Sequence, residues 1–431
     1  MRVMNNADHK DKPNGAKWVA SWSAAMQGPA PHGVPAALPD QSMALPNWEA
    51  HDQTFRMIIK PDLWGHTARL RFSNAFGNRP VTLGSVRVAI HAGAGALIPK
   101  TTVLVNFSGE DQCTLEIGTE LLSDPFNLPS IAADPQLLGC KLAVSFHVKE
   151  TSGALTWHAK AMTTSYISPP GSGAVGDHES EAKFPFSTTA WYFLDGMDVV
   201  TANSTTVVAA LGDSITDGTF STLNGDDRWS DRLSRRLHLA YGSSVSVVNV
   251  GIGGNQIIGP STYPPPFNGG PSALDRLERD ILSRAGITHV IWAEGINDLG
   301  QAFAPAGTIP AKATEIIAGI KTGVDRMKQA GIKVIGGTLP TSLNATREIY
   351  GTSTTDTQRR EINSFIRNSG IFDGIVDFEA ATIDPSSGEF REIYQPDSTL
   401  GMPADRLHPN RAGYIAMGDA VDLGMFAPLE T

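Results

Sequence analysis

A serine lies in a glycine-flanked turn directly after an apolar run in the second half of the chain. The run Thr206 to Leu211 leads into the segment Gly212 to Gly218, which reads GDSITDG. A hydroxyl at such a turn lies near the N-terminus of the following helix, whose dipole favours developing negative charge. Ser214 is therefore a candidate nucleophile, and a serine that only caps a turn is the alternative reading.

Two further apolar runs end in groups that could donate hydrogen bonds to an oxyanion. The second run ends in Asn249 to Asn255 (NVGIGGN), where glycines allow backbone N–H groups to approach a ligand closely. The third ends in Glu294 to Asp298 (EGIND), where Asn297 could donate its side-chain amide. A tight strand-to-helix turn and a helix N-cap are the respective alternatives.

An acid and a histidine stand three residues apart near the C-terminus, in Asp405-Arg406-Leu407-His408-Pro409. A carboxylate on Nδ1 holds a histidine in the tautomer that accepts a proton at Nε2. Together the four segments contain a nucleophile, a base with its carboxylate partner, and anion donors, which is the set that acyl transfer needs.

In this order, GDSITDG, NVGIGGN, GIND and DRLHP resemble the four blocks of the SGNH (GDSL-type) hydrolases. The resemblance covers about residues 206 to 427 and implies a flavodoxin-like three-layer α/β/α sandwich. It implies a nucleophile (Ser214), a general base (His408) and the partner of that base (Asp405). It also implies three oxyanion donors: the backbone N–H groups of Ser214 and Gly254 and the side-chain amide of Asn297.

The match departs from the family pattern at one place and is ambiguous at another. Ile215 stands where the family name has leucine, which is a conservative apolar change. Gly253 and Gly254 are adjacent, so either could be the donor of the second block. Gly254 is favoured because it follows Asn249 by five residues, as in the family pattern.

The elements around these segments predict a parallel sheet. Five short apolar runs alternate with helical stretches, which is typical of a doubly wound α/β layer with its ligand site at the carboxyl ends of the strands. The predicted strands are Thr206–Leu211, Val245–Val250, His289–Ala293, Val334–Gly337 and Ile375–Phe378. The predicted helices are Trp229–Ala240, Ala273–Arg284, Ala311–Ala330, Asp356–Asn368 and one that follows His408.

The first half has the period of β-strands. Apolar residues alternate with polar ones between Gly, Asn and Pro turns, as in Ala68, Leu70 and Phe72 around Arg69 and Arg71. This pattern predicts an all-β sandwich, jelly-roll-like, with no convincing helix. The predicted organisation is a polar tail over 1–16, a β-sandwich domain over 17–200 and a hydrolase domain over 206–431.

Composition excludes several classes of protein. The 431 residues are 41% hydrophobic and 18% charged, which can bury a sizeable core. A net charge of −10 without a basic run argues against nucleic acid as a partner. No apolar stretch is long enough to span a membrane. No secretory signal is visible, so the cytoplasm is the default expectation and a secreted mature product the alternative.

No cofactor or metal is expected, because the chain has no HExxH motif and no Cys/His ligand cluster. Residues 171–176 (GSGAVG) match GxGxxG, but they follow two prolines and enter no helix, which favours a flexible loop. No G-x-S-x-G elbow occurs. Cys113 and Cys140 lie in strand-like segments and are expected to be unpaired and buried, although one bridge would be possible.

The sequence thus predicts a serine esterase acting on short-chain, above all acetyl, esters of a small molecule or a saccharide. The β domain could bind saccharide through Trp64, Trp157 or Tyr166, although aromatic residues are more often in the core. The proline-rich stretch Gly259 to Pro271 could form a rim of the pocket. The alternatives are a lysophospholipase or thioesterase, and a saccharide-binding protein with a vestigial hydrolase domain.

Overall fold

The computed structural model describes residues 15–36, 41–128, 135–137, 139–259, 268–300, 309–395 and 404–427. The chain folds as two compact units, Met1–Thr205 and Thr206–Thr431. The predicted tail over 1–16 therefore lies outside the described residues except for residues 15 and 16. The predicted rim lies outside them over residues 260–267.

The first unit is built almost entirely of β-strands. Its described strands are β1 (Ala16–Ser23), β2 (Gly28–Pro29), β3 (His51–Ile59), β4 (Thr67–Ser73), β5 (Val81–Gly93), β6 (Ala96–Leu97), β7 (Val103–Leu104), β8 (Gln112–Leu115), β9 (Glu120–Leu122), β10 (Phe126–Asn127), β11 (Leu142–Thr151), β12 (Thr156–His158), β13 (Ser165–Ile167), β14 (Phe186–Thr188), β15 (Trp191–Tyr192) and β16 (Leu194–Ala202). No helix was expected in this half, but its described residues include one helical turn, α1 (Gln41–Ala44), and 3-10 turns at Pro46–Trp48, Pro135–Leu137 and Glu181–Lys183.

These strands pair in antiparallel sheets. One sheet has the order β1-β16-β4-β10, with β9 also on β4. A second has the order β14-β13-β3-β11-β5-β6, with β7 and β8 also on β5, and a small third has the order β15-β12-β2. Phe72 of the first sheet meets Phe146 of the second edge to face, with ring centroids 5.3 Å apart. The β-rich first half is confirmed, and its jelly-roll-like arrangement stays a prediction.

The polar positions of the alternating strands are less exposed than the sequence suggests. Arg69 and Arg71 on β4 are buried and pair with Asp198 and Glu120 at 2.9 Å and 3.3 Å. Arg56 on β3 is fully buried and donates to Ser145 Oγ at 2.9 Å. A period of two shows which residues alternate, but it does not reveal that other parts of the unit cover the polar face.

Two expectations concern a loop and exposed aromatic residues. The Gly171 and Gly173 N–H groups donate to the carbonyls of His51 and Asp52, so the predicted loop over 171–176 is tied to β3, and its flexibility stays a prediction. Trp157 is 1% exposed and cannot offer its ring to a saccharide, whereas Trp64 and Tyr166 are half-buried.

Both cysteines are unpaired, as the sequence favours. Cys113 is buried in β8, but Cys140 precedes β11 and is only half-buried, so the expectation of two buried thiols in strands holds only for Cys113.

The second unit contains a five-stranded parallel sheet, as predicted. Its strands are β17 (Thr206–Gly212), β18 (Val245–Asn249), β19 (His289–Ala293), β20 (Lys333–Gly337) and β21 (Gly374–Val376). Their order is β18-β17-β19-β20-β21, that is 2-1-3-4-5 within the unit. This is the flavodoxin-like order, in which ligands bind beyond the carboxyl ends of the strands at the point where the order reverses.

Helices cover both faces of this sheet. The described α-helices are α2 (Ser214–Asp217), α3 (Trp229–Tyr241), α4 (Ala273–Leu277), α5 (Ile296–Gly300), α6 (Ala313–Gln329), α7 (Glu348–Gly351), α8 (Ser353–Asn368), α9 (Phe378–Thr382) and α10 (Arg411–Asp419). On one face Val208 and Ile291 pack with Trp229 of α3 and Met417 of α10. On the other face, α6 lies so close that a Cβ at Gly323 would be 2.4 Å from the ring of Trp292.

Helix caps explain where the predicted boundaries shift. The fifth strand ends at Val376, and Phe378 begins α9 because the Asp377 carboxylate accepts from the Ala380 N–H. Thr352 caps α8 in the same way, so that helix begins at Ser353 and not at Asp356. The predicted helix Ala273–Arg284 is an α-helix only as far as Leu277, and the following residues, Glu278–Leu282, form a π-helix.

Candidate active site

The candidate nucleophile lies at the end of the central strand. Asp213 follows β17 and its carboxylate accepts from the Ile215 N–H at 3.0 Å, so Ser214 becomes the first residue of the one-turn helix α2. Gly212 is required here, since a Cβ would lie 2.3 Å from Thr216 Oγ1 and 2.5 Å from the Ala293 carbonyl. Ser214 is 8% exposed.

The structure brings Ser214, His408 and Asp405 together in one hydrogen-bonded chain. Ser214 Oγ lies 2.7 Å from His408 Nε2, and His408 Nδ1 lies 2.6 Å from Asp405 Oδ2. The other carboxylate oxygen of Asp405 accepts from the backbone N–H groups of Leu407 and His408 at 3.0 Å and 2.9 Å. One carboxylate thus fixes both the ring and the backbone of the histidine.

The electrostatics of Asp405 suit this position. Burial alone would raise its pKa, but the charge of His408 and three hydrogen bonds lower the pKa to about 2. The carboxylate is therefore ionised at neutral pH and can only accept from Nδ1–H. This leaves the Nε2 lone pair to accept the proton of the Ser214 hydroxyl. The ring of Phe220 lies edge-on to the ring of His408, and the two ring centroids are 5.7 Å apart.

In the glycine loop after β18 (residues 250–255), the two candidate donors Gly253 and Gly254 differ in whether a described residue accepts from their N–H groups. The Gly253 N–H donates to Asp217 Oδ2 at 2.8 Å and is therefore occupied. The Gly254 N–H has no acceptor among the residues that the structure describes. Gly254 has φ +80°, which a residue with a side chain rarely adopts. The loop also lies against α2, since a Cβ at Gly251 would be 2.5 Å from the Asp217 nitrogen.

Asn297 lies in α5, one turn beyond the end of β19, and is 3% exposed. Its Nδ2 donates to the Asn255 carbonyl at 2.9 Å, and its Oδ1 accepts from the Tyr350 hydroxyl at 2.7 Å. The bond to Asn255 ties Asn297 to the residue that follows Gly254. The second hydrogen on Nδ2 has no acceptor within the described parts of the chain.

Buried carboxyl groups lie around these donors. Burial and repulsion from the nearby Glu294 raise the pKa of Asp213 to about 8. Burial raises the pKa of Asp298 to about 7, although it accepts from the N–H groups of Ile257 and Ile258. The pKa of Glu294 is also raised by its burial, and one of its oxygens accepts from the Trp292 indole at 2.8 Å.

A fully buried arginine connects the loops of the site. Arg276 of α4 donates to the carbonyls of Gly212 and Val250, at 3.1 Å and 2.7 Å, and to Asn255 Oδ1 at 2.8 Å. It also pairs with Asp280 at 3.1 Å. The ends of β17 and β18 and the glycine loop are therefore held by one guanidinium.

Sequence reasoning missed Tyr350, Phe220 and Arg276. Phe220 follows the first motif by only two residues and Arg276 lies in a predicted helix, but an aromatic or a basic residue at those places is an ordinary surface or core residue by type. No signal in the sequence indicates Tyr350, which reaches Asn297 from a helix 53 residues later.

Among the described residues, no group of three or more His, Cys, Asp or Glu side chains could hold a metal ion. None of the described helices is both long and apolar enough to cross a membrane.

In comparisons with known proteins, a family model matches part of the second unit. A family model described as the GDSL-like Lipase/Acylhydrolase family matches residues 210–416. A comparison with curated proteins found no match.

Among solved structures the chain is similar to a GDSL-like lipase from Bacteroides thetaiotaomicron, with 17% identity over 51% of this chain and 87% of that chain and a TM-score of 0.36. It is also similar to an acetylxylan esterase from Geobacillus stearothermophilus, with 22% identity over 50% and 91% and a TM-score of 0.36. A third is the aryl esterase of M. smegmatis, with 17% identity over 50% and 95% and a TM-score of 0.37. Identities and scores this low say nothing about the substrate of this chain. The family model thus identifies a GDSL-like lipase/acylhydrolase domain over residues 210–416.

Proposed function

We propose that this protein is a serine esterase that works through an acyl-enzyme on Ser214. The observation that carries the proposal is the hydrogen-bonded chain from Ser214 Oγ through His408 to Asp405, with distances of 2.7 Å and 2.6 Å. A free serine hydroxyl is a weak nucleophile, and a positioned base is what activates it.

The acylation step balances with these three side chains. Ser214 Oγ bonds to the ester carbonyl carbon while its proton passes to His408 Nε2, and the carbonyl oxygen becomes an oxyanion. The imidazolium then gives that proton to the leaving alkoxide oxygen as the C–O bond breaks. In the second step His408 takes a proton from water, the hydroxide attacks the acyl-enzyme, and Ser214 regains its proton as the carboxylic acid leaves.

Three donors would hold the oxyanion: the backbone N–H groups of Ser214 and Gly254 and the second amide hydrogen of Asn297. Support for this assignment comes from the fact that none of the three has another acceptor among the described residues. A preorganised donor in a buried site costs no rearrangement when charge develops, and loss of one such donor typically lowers turnover about 10²–10³-fold.

The test of the serine mechanism is Ser214→Ala with p-nitrophenyl acetate as substrate. We expect hydrolysis to fall to the background rate while the melting temperature stays close to that of the wild type. Ser364→Ala, an exposed serine on α8, is the matched control and should keep full activity. A fluorophosphonate should add one phosphonyl group to the wild type and none to Ser214→Ala, as measured by intact mass. Undiminished hydrolysis by Ser214→Ala would falsify the assignment.

We further propose that the substrates are short-chain esters, above all acetyl esters, on a saccharide or another small polar alcohol. The support is the layout, in which a β-rich unit precedes the hydrolase unit, together with the half-buried aromatic rings of Trp64 and Tyr166 in that β-rich unit. The test is a series of p-nitrophenyl esters from acetate to decanoate beside acetylated oligosaccharides.

For the acyl-chain series, we expect kcat/KM to fall with acyl length. A rise towards decanoate would favour a lysophospholipase or thioesterase instead. If the wild type neither hydrolyses esters nor reacts with the fluorophosphonate, the protein is better described as a saccharide-binding protein with a vestigial hydrolase unit.

A further inference from the structure

The amide of Asn297 is held at both ends by groups from different parts of the second unit. Its nitrogen donates to the Asn255 carbonyl at 2.9 Å, and its oxygen accepts from the Tyr350 hydroxyl at 2.7 Å. Both side chains are buried, with exposed fractions of 3% for Asn297 and 2% for Tyr350. Both contacts of the amide are therefore made in a largely buried place.

Tyr350 is itself held firmly against the helix that carries Asn297. It belongs to α7, and its own carbonyl accepts from Ser342 Oγ at 3.0 Å. Its ring lies on Gly300 at the end of α5, where a Cβ would be only 2.0 Å from the ring carbon Cε1. The absence of a side chain at Gly300 is what lets the hydroxyl reach Oδ1.

The two contacts together select one orientation of the amide. If the amide turned over, Oδ1 would face the Asn255 carbonyl, and two acceptors would oppose each other in a buried place. A hydrogen bond on Oδ1 also polarises the amide and makes its remaining N–H a stronger donor. Removing the hydroxyl would leave Oδ1 as a buried acceptor without a partner, which proteins avoid.

We propose that Tyr350 is a positioning residue of the esterase reaction. Through Oδ1 it holds the Asn297 amide so that the second Nδ2 hydrogen stays available to the oxyanion. The inference rests on the proposed function, in which Asn297 is an oxyanion donor. Tyr350 does not touch the substrate in this proposal and acts only through Asn297.

The test is Tyr350→Phe, which removes the hydroxyl and keeps the ring. We expect kcat for p-nitrophenyl acetate to fall about 10-fold with KM nearly unchanged, since loss of the whole donor costs about 10²–10³-fold. In an Asn297→Ala background the same substitution should have no further effect on kcat. Tyr241→Phe is the matched control, because it removes a hydroxyl that donates to the Leu423 carbonyl at 3.1 Å, and it should keep the wild-type kcat.

An equal loss of kcat in the wild-type and Asn297→Ala backgrounds would overturn the proposal, because the hydroxyl would then act elsewhere. A second measurement does not depend on activity. In protein labelled with ¹⁵N-asparagine, the side-chain amide signals of Asn297, assigned by their loss in Asn297→Ala, should shift in Tyr350→Phe and not in Tyr241→Phe. Unshifted signals would also overturn it. An inactive wild type would instead refute the proposed function, and the amide signals would still report on the Tyr350 contact.

Discussion

At the scale of single residues, the best-defined feature of the candidate site is the carboxylate of Asp405. One of its oxygens accepts from His408 Nδ1, and the other accepts from two backbone N–H groups. The carboxylate therefore sets the tautomer of the imidazole and the direction in which the ring points. Arg406, between the two residues, has φ +58°, the left-handed conformation that this short turn requires.

Asp405→Asn should lower kcat by about 10²–10⁴-fold while the fold persists, because an amide can donate to Nδ1 and thereby stabilise the wrong tautomer. The backbone contacts survive, since the amide oxygen can still accept from the two N–H groups. Steady-state hydrolysis of p-nitrophenyl acetate measures the effect. Asp419→Asn is the control, because that carboxylate is 42% exposed and pairs with Arg232 away from the serine. Nearly full activity in Asp405→Asn would show that His408 does not depend on this carboxylate.

The residues that sequence patterns indicate are those inside short motifs. Ser214, Gly254, Asn297, Asp405 and His408 each lie in such a motif. No motif alone was decisive, and the resemblance of the four in order to the SGNH hydrolases singled these residues out. Tyr350 and Arg276 were not indicated, because their roles come from contacts between distant segments. A tyrosine or an arginine in a helix has the same pattern whether it faces solvent or reaches a buried amide.

At the scale of elements, continuous apolar runs predicted the five parallel strands well because both faces of this sheet are covered. The caps were harder to foresee. Asp377 and Thr352 each begin a helix through a side-chain hydrogen bond that apolar periodicity does not record. In the first unit, alternation indicated strands, but the burial of Arg56 depends on carbonyls more than 100 residues away at Gly176 and His178.

The turn between β17 and α2 should make stability depend on pH. The folded pKa of Asp213 is about 8, above its ordinary value, so the native state binds more protons than the unfolded state between about pH 4 and pH 8. Stability therefore falls as pH rises through this window, by at most about 1.4 kcal/mol per pH unit for one carboxyl. The folded pKa of Asp298 is about 7, so this carboxyl also lowers the stability as the pH rises to about 7.

Asp213→Asn should flatten this slope, because the amide oxygen can still accept from the Ile215 N–H while the titrating group is gone. Urea unfolding at pH 5, 6, 7 and 8 measures the free energy of unfolding. We expect the free energy of unfolding of the variant to increase relative to that of the wild type as the pH rises towards 8. Asp422→Asn is a control at an exposed helix cap, and parallel curves for Asp213→Asn and the wild type would contradict the expectation.

At the scale of the whole molecule, the chain consists of an antiparallel β unit and a parallel α/β unit, and both cysteines lie in the first. The change from a period of two to continuous apolar runs marks where one architecture gives way to the other. Strands of only two residues, such as β2 and β6, could not be predicted from periodicity, because two residues define no period.

The two thiols should differ in reactivity. Burial raises the pKa of Cys113 to about 12, so almost no thiolate is present at neutral pH, whereas Cys140 is half-buried. Titration of the native protein with a disulfide reagent should modify Cys140 alone, and denaturant should release a second equivalent. Cys140→Ser should abolish the native reaction. Modification of both thiols at equal rates in the native state, or a melting temperature that falls with reductant, would contradict this.

The guanidinium of Arg276 has a consequence for how such an enzyme could change. It donates to the carbonyls of Gly212 and Val250 and to the side chain of Asn255, and it is fully buried. Substitutions on the surfaces that contact the alcohol or acyl group could therefore alter selectivity while the hydrogen bonds of Arg276 are kept. In variant libraries screened for new substrates, many substitutions should be tolerated where the substrate enters the site. Almost none should be tolerated at Arg276, because a change there would distort several loops together.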